Sequence, residues 1–138
     1  MAEYNGAGVT IYYVDGENGD DSSADATTTG GAWETIQNAF DEIAAGNIVD
    51  GDEVRIMKTA DDETHYGISA KLTVTWSNRE VIISGANSSG VVDGTIVEIN
   101  GDGLDSSTPM MEVSVATADH LIFSHLKFNA ADTAQHCV

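Results

Sequence analysis

Apolar and polar positions along the chain follow two regimes. Residues 9–14 (Val-Thr-Ile-Tyr-Tyr-Val) are mostly β-branched or aromatic and predict a first strand. Residues 15–31 are rich in Gly, Asp, Ser and Thr, with almost nothing to bury, and predict a long loop. Over residues 33–45, Ile36, Ala39, Phe40 and Ile43 recur at helical spacing, so one narrow stripe is apolar. Gln37, Asn38, Asp41 and Glu42 fall on the opposite side and are expected to face water. Glu34 sits in the predicted first turn, where the macrodipole favours an acid, and Gly46 supplies the stop. After the tight acidic turn Asp50-Gly51-Asp52 the pattern switches to short β-type runs at 54–57, 72–76, 81–84, 95–99, 111–115, 121–124 and 126–128. Turns rich in Gly, Asn, Asp and Ser separate them, and no second helical pattern follows.

One helix leading into a series of strands predicts a lid over the end of a stack. A parallel stack exposes an apolar end and a row of unpaired edge amides, and an amphipathic helix laid there covers both. Trp33, Ile36, Phe40 and Ile43 are the predicted structural cap. Two segments echo each other: Arg79-Glu-Val-Ile-Ile-Ser-Gly85 and Asp119-His-Leu-Ile-Phe-Ser-His125 share a shape forty positions apart. Two coils of about 20 residues each account for that offset, as in stacked repeats.

Three motifs carry a resemblance: Tyr13-Val14-Asp15-Gly16, Trp33-Glu34-Thr35-Ile36-Gln37 and Gly51-Asp52-Glu53-Val54. In this order they resemble the N-terminal cap and first coil of right-handed parallel β-helix proteins, the pectin-lyase-like superfamily. Ile82-Ile83-Ser84-Gly85 followed by Val91-Val92-Asp93-Gly94 resembles the next turn, and the run from Leu121 to Phe128 the rung after it. The resemblance implies an all-β, right-handed parallel β-helix (a β-solenoid) with one N-terminal capping helix. It divides the chain into a strand and acidic loop (1–32), a capping helix (33–46) and first coils (54–138). The chain is expected to stop in mid-coil, as the front of a longer polypeptide.

That superfamily holds polysaccharide lyases, glycoside hydrolases and esterases beside non-catalytic virion spikes and fibres. No Asp-Asp pair here is followed by the Gly-His-Gly and Arg-x-Lys elements of polygalacturonases; Arg55-Ile-Met-Lys58 matches the last only superficially. No arginine follows Arg79, as a lyase base in later rungs would require. The methylesterase-like opening, Thr35-Ile36-Gln37 then Tyr66, is present only as the shared coil pattern. No catalytic residue is therefore assigned.

Charge is the outlier. Across 138 residues, five Lys plus Arg face 23 Asp plus Glu, a formal net charge of −18. Such a surface repels nucleic acid and anionic membranes over a Debye length of roughly 8–10 Å, so neither is an expected partner. Salt would screen the self-repulsion, which suits a marine or hypersaline setting. Asp15, Asp20 and Asp21 in the long loop, and Asp61 and Asp62 beside His65, are the candidate cation-binding residues, with Ca2+ the one cofactor considered. Neither group has the ligand order of an EF-hand loop, and solvation of the loops is the favoured reading. His120, His125 and His136 fall in the last predicted rungs as a weaker metal candidate, and lone Cys137 forms no intrachain disulfide. Trp33 and Trp76 would stack on sugars only if exposed, and Asn87-Ser88-Ser89 matches a glycosylation acceptor.

The opening Met-Ala-Glu-Tyr-Asn-Gly lacks the basic and apolar regions of a signal peptide. The expectation is a structural module of a virion appendage or capsid decoration protein (head fibre, spike or tail fibre). Its partners would be other virion proteins or itself, with a trimer favoured, and host-surface glycans. Two alternatives remain: the front of a lyase or glycoside hydrolase with catalytic coils beyond Val138, and a secreted cell-surface adhesin.

Overall fold

The computed structural model describes residues 9–22, 25–76, 80–105, 107–115 and 121–129. The strands are β1 (Ile11–Val14), β2 (Glu53–Met57), β3 (Leu72–Trp76), β4 (Val81–Ala86), β5 (Val97–Asn100), β6 (Met111–Val115), β7 (Leu121–Ser124) and β8 (Leu126–Asn129). Two α-helices join them, α1 (Ile36–Ala45) and the single turn α2 (Asp62–His65). The class is all-β, and every ladder is parallel. The strands form three sheets: a first in the order β1-β2-β4-β7, a second of β5-β8 and a third of β3-β6. From β2 onward the chain visits them in rotation: β2 in the first, an isolated bridge of Gly67 to Asn100 beside the second, β3 in the third, then β4, β5, β6, β7 and β8 in the same cycle.

Register places like on like. Tyr12, Val54, Ile83 and Phe123 form one column of the first sheet. Val97 and Ile99 lie beside Leu126 and Phe128 in the second sheet, and Leu72 and Val74 beside Met111 and Val113 in the third. Burial falls along these columns: Val54, Ile83, Val97, Ile99, Leu72 and Val74 are buried, whereas Met111, Val113, Phe123, Leu126 and Phe128 are partly buried against the core. Phe123 and Phe128 meet edge to face, with centroids 6.0 Å apart. Between β7 and β8 the chain turns on a single left-handed residue, His125 (φ 56). A Cβ at Gly85 would lie 2.1 Å from the His125 carbonyl oxygen, so only glycine lets that corner close over β4.

The helix begins later than its pattern predicts. Thr35 is the N-cap, its side chain accepting from the Asn38 N–H, and Gly46 (φ 88) ends α1 by returning its N–H to the Glu42 and Ile43 carbonyls. Glu34 therefore precedes the cap. Trp33 is extended, bridged to Val14, with its ring stacked on Tyr12 at 5.5 Å. Trp33, Ile36, Phe40 and Ile43 are all buried, and α1 packs on β3. β5 starts at Val97 rather than Thr95, because the Asp93 carboxylate accepts from both the N–H and hydroxyl of Thr95 and folds that stretch into a turn. The acidic segment read as a loop contains α2, started by Asp61, whose side chain accepts from the Thr64 N–H.

Candidate functional site

A parallel sheet with an open first strand is a template for unwanted pairing. Each of the three sheets here has a leading edge, the edge formed by the earliest chain segment, and the chain closes those edges mainly without strands. In the first sheet, alternate groups of β1 point away from β2. The Tyr13 N–H donates to the Ala26 carbonyl (2.8 Å), the Trp33 N–H to the Tyr13 carbonyl (3.0 Å) and the Asp15 N–H to the Trp33 carbonyl (2.8 Å). The backbone of the loop, rather than the helix, thus seals this edge.

In the third sheet a side chain does the work. The Gln37 carboxamide accepts from the Thr73 N–H and donates to the Thr73 carbonyl, both at 2.9 Å, so one amide side chain replaces one residue of a missing strand. Gln37 is accordingly half-buried at the β3 edge, not on the wetted side where its spacing placed it.

In the second sheet a carboxylate plays the same part. The Glu98 N–H of β5, on the leading side, donates to Asp62 Oδ2 at 3.2 Å. Asp62 is buried and also accepts from the Lys58 ammonium and, at 3.2 Å each, from the Thr59 N–H and hydroxyl. One register step on, Asn100 bonds the backbone of Tyr66 and Ile68. Asp52 does likewise at the start of β1: it is buried and accepts from the Thr10 N–H (3.0 Å) and the Val49 N–H (2.9 Å).

Each candidate cation ligand is engaged by nearby donors. Asp15 accepts from the Glu17 and Asn18 N–H groups and the Asn18 side chain. Asp21 accepts from the Glu34 and Thr35 N–H groups at 2.9 Å and the Thr35 hydroxyl at 2.6 Å, which fixes the entry into α1. Asp20 accepts from the N–H and hydroxyl of Ser22, and Asp61 from those of Thr64. Hydroxyl donors, which bond the ionised form, hold the carboxyls of Asp20 and Asp61 below the usual range, as they do for Asp25, Asp93 and Asp105. Lys127, at 2.7 Å, lowers Glu98 in the same way. Among the described residues no group of three or more His, Cys, Asp or Glu converges as a metal site requires.

Sequence reasoning missed a recurring device here. Asp20-x-Ser22, Asp25-x-Thr27, Asp93-x-Thr95 and Asp105-x-Ser107 are all Asx turns in which the acid binds the backbone two residues on. The spacing Asp-x-Ser/Thr was the available signal. Tyr66, noted only as part of the shared coil pattern, is buried: its hydroxyl donates to the Met57 carbonyl (2.6 Å) and accepts from the Gly16 N–H (3.1 Å), tying the ends of β1 and β2, and burial pushes its phenol well above its ordinary value.

The remaining candidates are scattered. His125 Nδ1 lies 2.6 Å from the Ser124 hydroxyl, while His120, His136 and Cys137 lie outside the described residues. Buried Trp33 offers no sugar platform. The Asn87 amide donates to Asp93 (2.7 Å) and its oxygen accepts from Ser89 and Val91, so it organises a turn. Among the described residues these side chains make closures and turns, apart from the contact of Ser124 with its sequence neighbour His125. No helix of the described residues is long and apolar enough to cross a membrane. Compared with known protein families, curated proteins and solved structures, the chain finds no match.

Proposed function

We propose that the chain is a structural module, the capped start of a right-handed parallel β-helix belonging to a virion appendage or capsid decoration protein. The observation that carries this reading is the fixed rotation of the chain through three parallel sheets, with leading edges closed by Gln37, Asp62 and the loop before α1. Closure at one end and graded burial toward β6, β7 and β8 suit a module that starts a stack and passes it on. Asp15, Asp20, Asp21, Asp52, Asp61 and Asp62 bond backbone and hydroxyl donors that shape the fold, which supports an assembly role. The virion assignment rests on the resemblance of the capping and first-coil motifs.

The assembly is a homo-oligomer, with the trimer favoured. Light scattering of the purified chain should give about three times its 14.5 kDa mass. Mass spectrometry of density-purified particles from the source culture should find its peptides in the particle fraction. A monomer whose peptides occur only in the soluble fraction would overturn the reading.

A further inference from the structure

Six described pairs place Asn or Asp before Gly: Asp15-Gly16, Asn18-Gly19, Asp50-Gly51, Asp93-Gly94, Asn100-Gly101 and Asp102-Gly103. A seventh, Asn5-Gly6, lies outside the described residues. All share one latent reaction, because glycine leaves its own N–H unshielded beside the preceding side-chain carbonyl. The fold blocks five of the six. The Gly16 N–H donates to the Tyr66 hydroxyl at 3.1 Å, the Gly19 N–H to the Asp15 carbonyl at 2.8 Å, and the Gly51 N–H to the Glu80 carbonyl at 2.8 Å. The N–H of buried Gly101 donates to the Asn129 carbonyl at 2.9 Å. At Asp93 the side chain is held instead, by the N–H and hydroxyl of Thr95 and by the Asn87 amide. Asp102-Gly103 is different. These are the central residues of a turn closed by the Leu104 N–H on the Gly101 carbonyl (2.9 Å), and Asp102 donates its own N–H to Asn100 Oδ1. Both are exposed, and among the described residues neither the Asp102 carboxylate nor the Gly103 N–H has a hydrogen-bond partner. Nor can a side chain shield this amide without cost. A Cβ at Gly103 would lie 2.8 Å from the Ile68 carbonyl oxygen and 3.0 Å from Ser69 Cα, so the close approach of two turns keeps the reactive pair in place.

We propose that Asp102 is a self-modification site, where the main chain of the β5–β6 turn converts to isoaspartate. The Gly103 nitrogen attacks Asp102 Cγ, and the new C–N bond closes a five-membered succinimide. The carboxyl C–O bond breaks, and one water leaves, made from the carboxyl hydroxyl and the amide proton. A second water then attacks the Asp102 main-chain carbonyl and breaks its C–N bond. The chain now runs through Cγ, longer by one methylene, with a free α-carboxylate at the surface. Attack at the other carbonyl restores aspartate, and either product has the starting mass. Only water enters and leaves. The site depends on this turn alone and on no assignment to a virion.

The test incubates the full chain for weeks at neutral pH, folded and in guanidinium, and reads isoaspartate in two ways. Methyl transfer from labelled S-adenosylmethionine by an isoaspartyl methyltransferase counts it, and electron-transfer fragmentation of peptic peptides places it. In the folded chain, Asp102 should convert about tenfold faster than any of the other five pairs. In guanidinium the order should invert, with Asn18 and Asn100 leading, because ammonia leaves an amide more readily than water leaves a carboxyl. Asp102→Glu, which cannot close a five-membered ring, should abolish the signal at that position and leave the urea midpoint unchanged. An equal or faster rate at any of the other five pairs in the folded chain overturns the proposal. So does a folded chain with no isoaspartate at position 102, or the same order of sites with and without guanidinium.

Discussion

Asp62 offers the sharpest perturbation, because one buried carboxylate replaces a strand at the edge of β5. Asp62→Ala removes the acceptor of four donors: the Lys58 ammonium, the Thr59 N–H and hydroxyl, and the Glu98 N–H. Lys58 is 44% exposed and recovers its hydration, so its ion pair contributes about 0–1 kcal/mol. Thr59 is buried and Glu98 half-buried, and each N–H left unpaired costs about 1–3 kcal/mol. Both bonds are 3.2 Å long and water can reach Glu98, so the lower part of that range applies, about 3 kcal/mol for the site. With a urea slope of about 1–3 kcal/mol per molar, the unfolding midpoint should fall by about 1–3 M. Asp62→Asn keeps one oxygen but sets an amide donor against Glu98 or Lys58, and should lose a smaller but clear share. Hydrogen exchange adds site resolution: the Glu98 amide should exchange faster, while Val97, bonded to the His125 carbonyl, should hold. A midpoint shift under about 0.3 M for Asp62→Ala, below what one lost buried bond produces, would refute strand replacement.

Other expectations follow from the same contacts. Phe40→Ala, at a side chain 2% exposed beneath α1, should destabilise by about 3–5 kcal/mol in urea unfolding; a loss under about 1 kcal/mol would mean that the helix is not seated on the core. Gln37→Ala should cost about 1–2 kcal/mol and speed exchange at Thr73, with Ile36 and Phe40 unaffected. Gly85→Ala should cost about 1–3 kcal/mol, because its methyl would meet the His125 carbonyl, and β7 resonances should shift first. On acidification, Asp20, Asp25, Asp61, Asp93, Asp105 and Glu98 have folded pKa values below their unfolded ones. Their stabilisation is therefore present above about pH 4 and lost as pH falls through the lowered values. A urea midpoint already falling between pH 6 and pH 5 would contradict that.

How much was legible in the residues depended on the range of each interaction. The strands and helix showed themselves because Val, Ile, Tyr and Phe repeat with local periods, and Ile36, Ala39, Phe40 and Ile43 set the buried face of α1. The apolar Trp33 drew the predicted helix three residues forward of Ile36; tertiary pairing with Val14 and stacking on Tyr12 hold Trp33 extended. The single turn α2 shows no periodicity in four polar residues, so only its Asp61–Thr64 cap could have revealed it. Acid clusters suggested cation sites because composition says nothing about donors. The donors are Ser and Thr hydroxyls and backbone amides two or three residues away. Gln37 was least legible of all, since its partner Thr73 lies 36 positions on and no local pattern records the pairing.

The central claim is that the chain stacks parallel strands in three sheets behind a leading end closed by loop and side chains. Interstrand proton contacts measured by NMR test it most directly. The account predicts contacts in the order β2 to β4 to β7, with Val54 beside Ile83 and Ile83 beside Phe123, and Val97 beside Leu126 in the second sheet. Close Hα–Hα contacts between sequential strands, the mark of antiparallel hairpins, would contradict it.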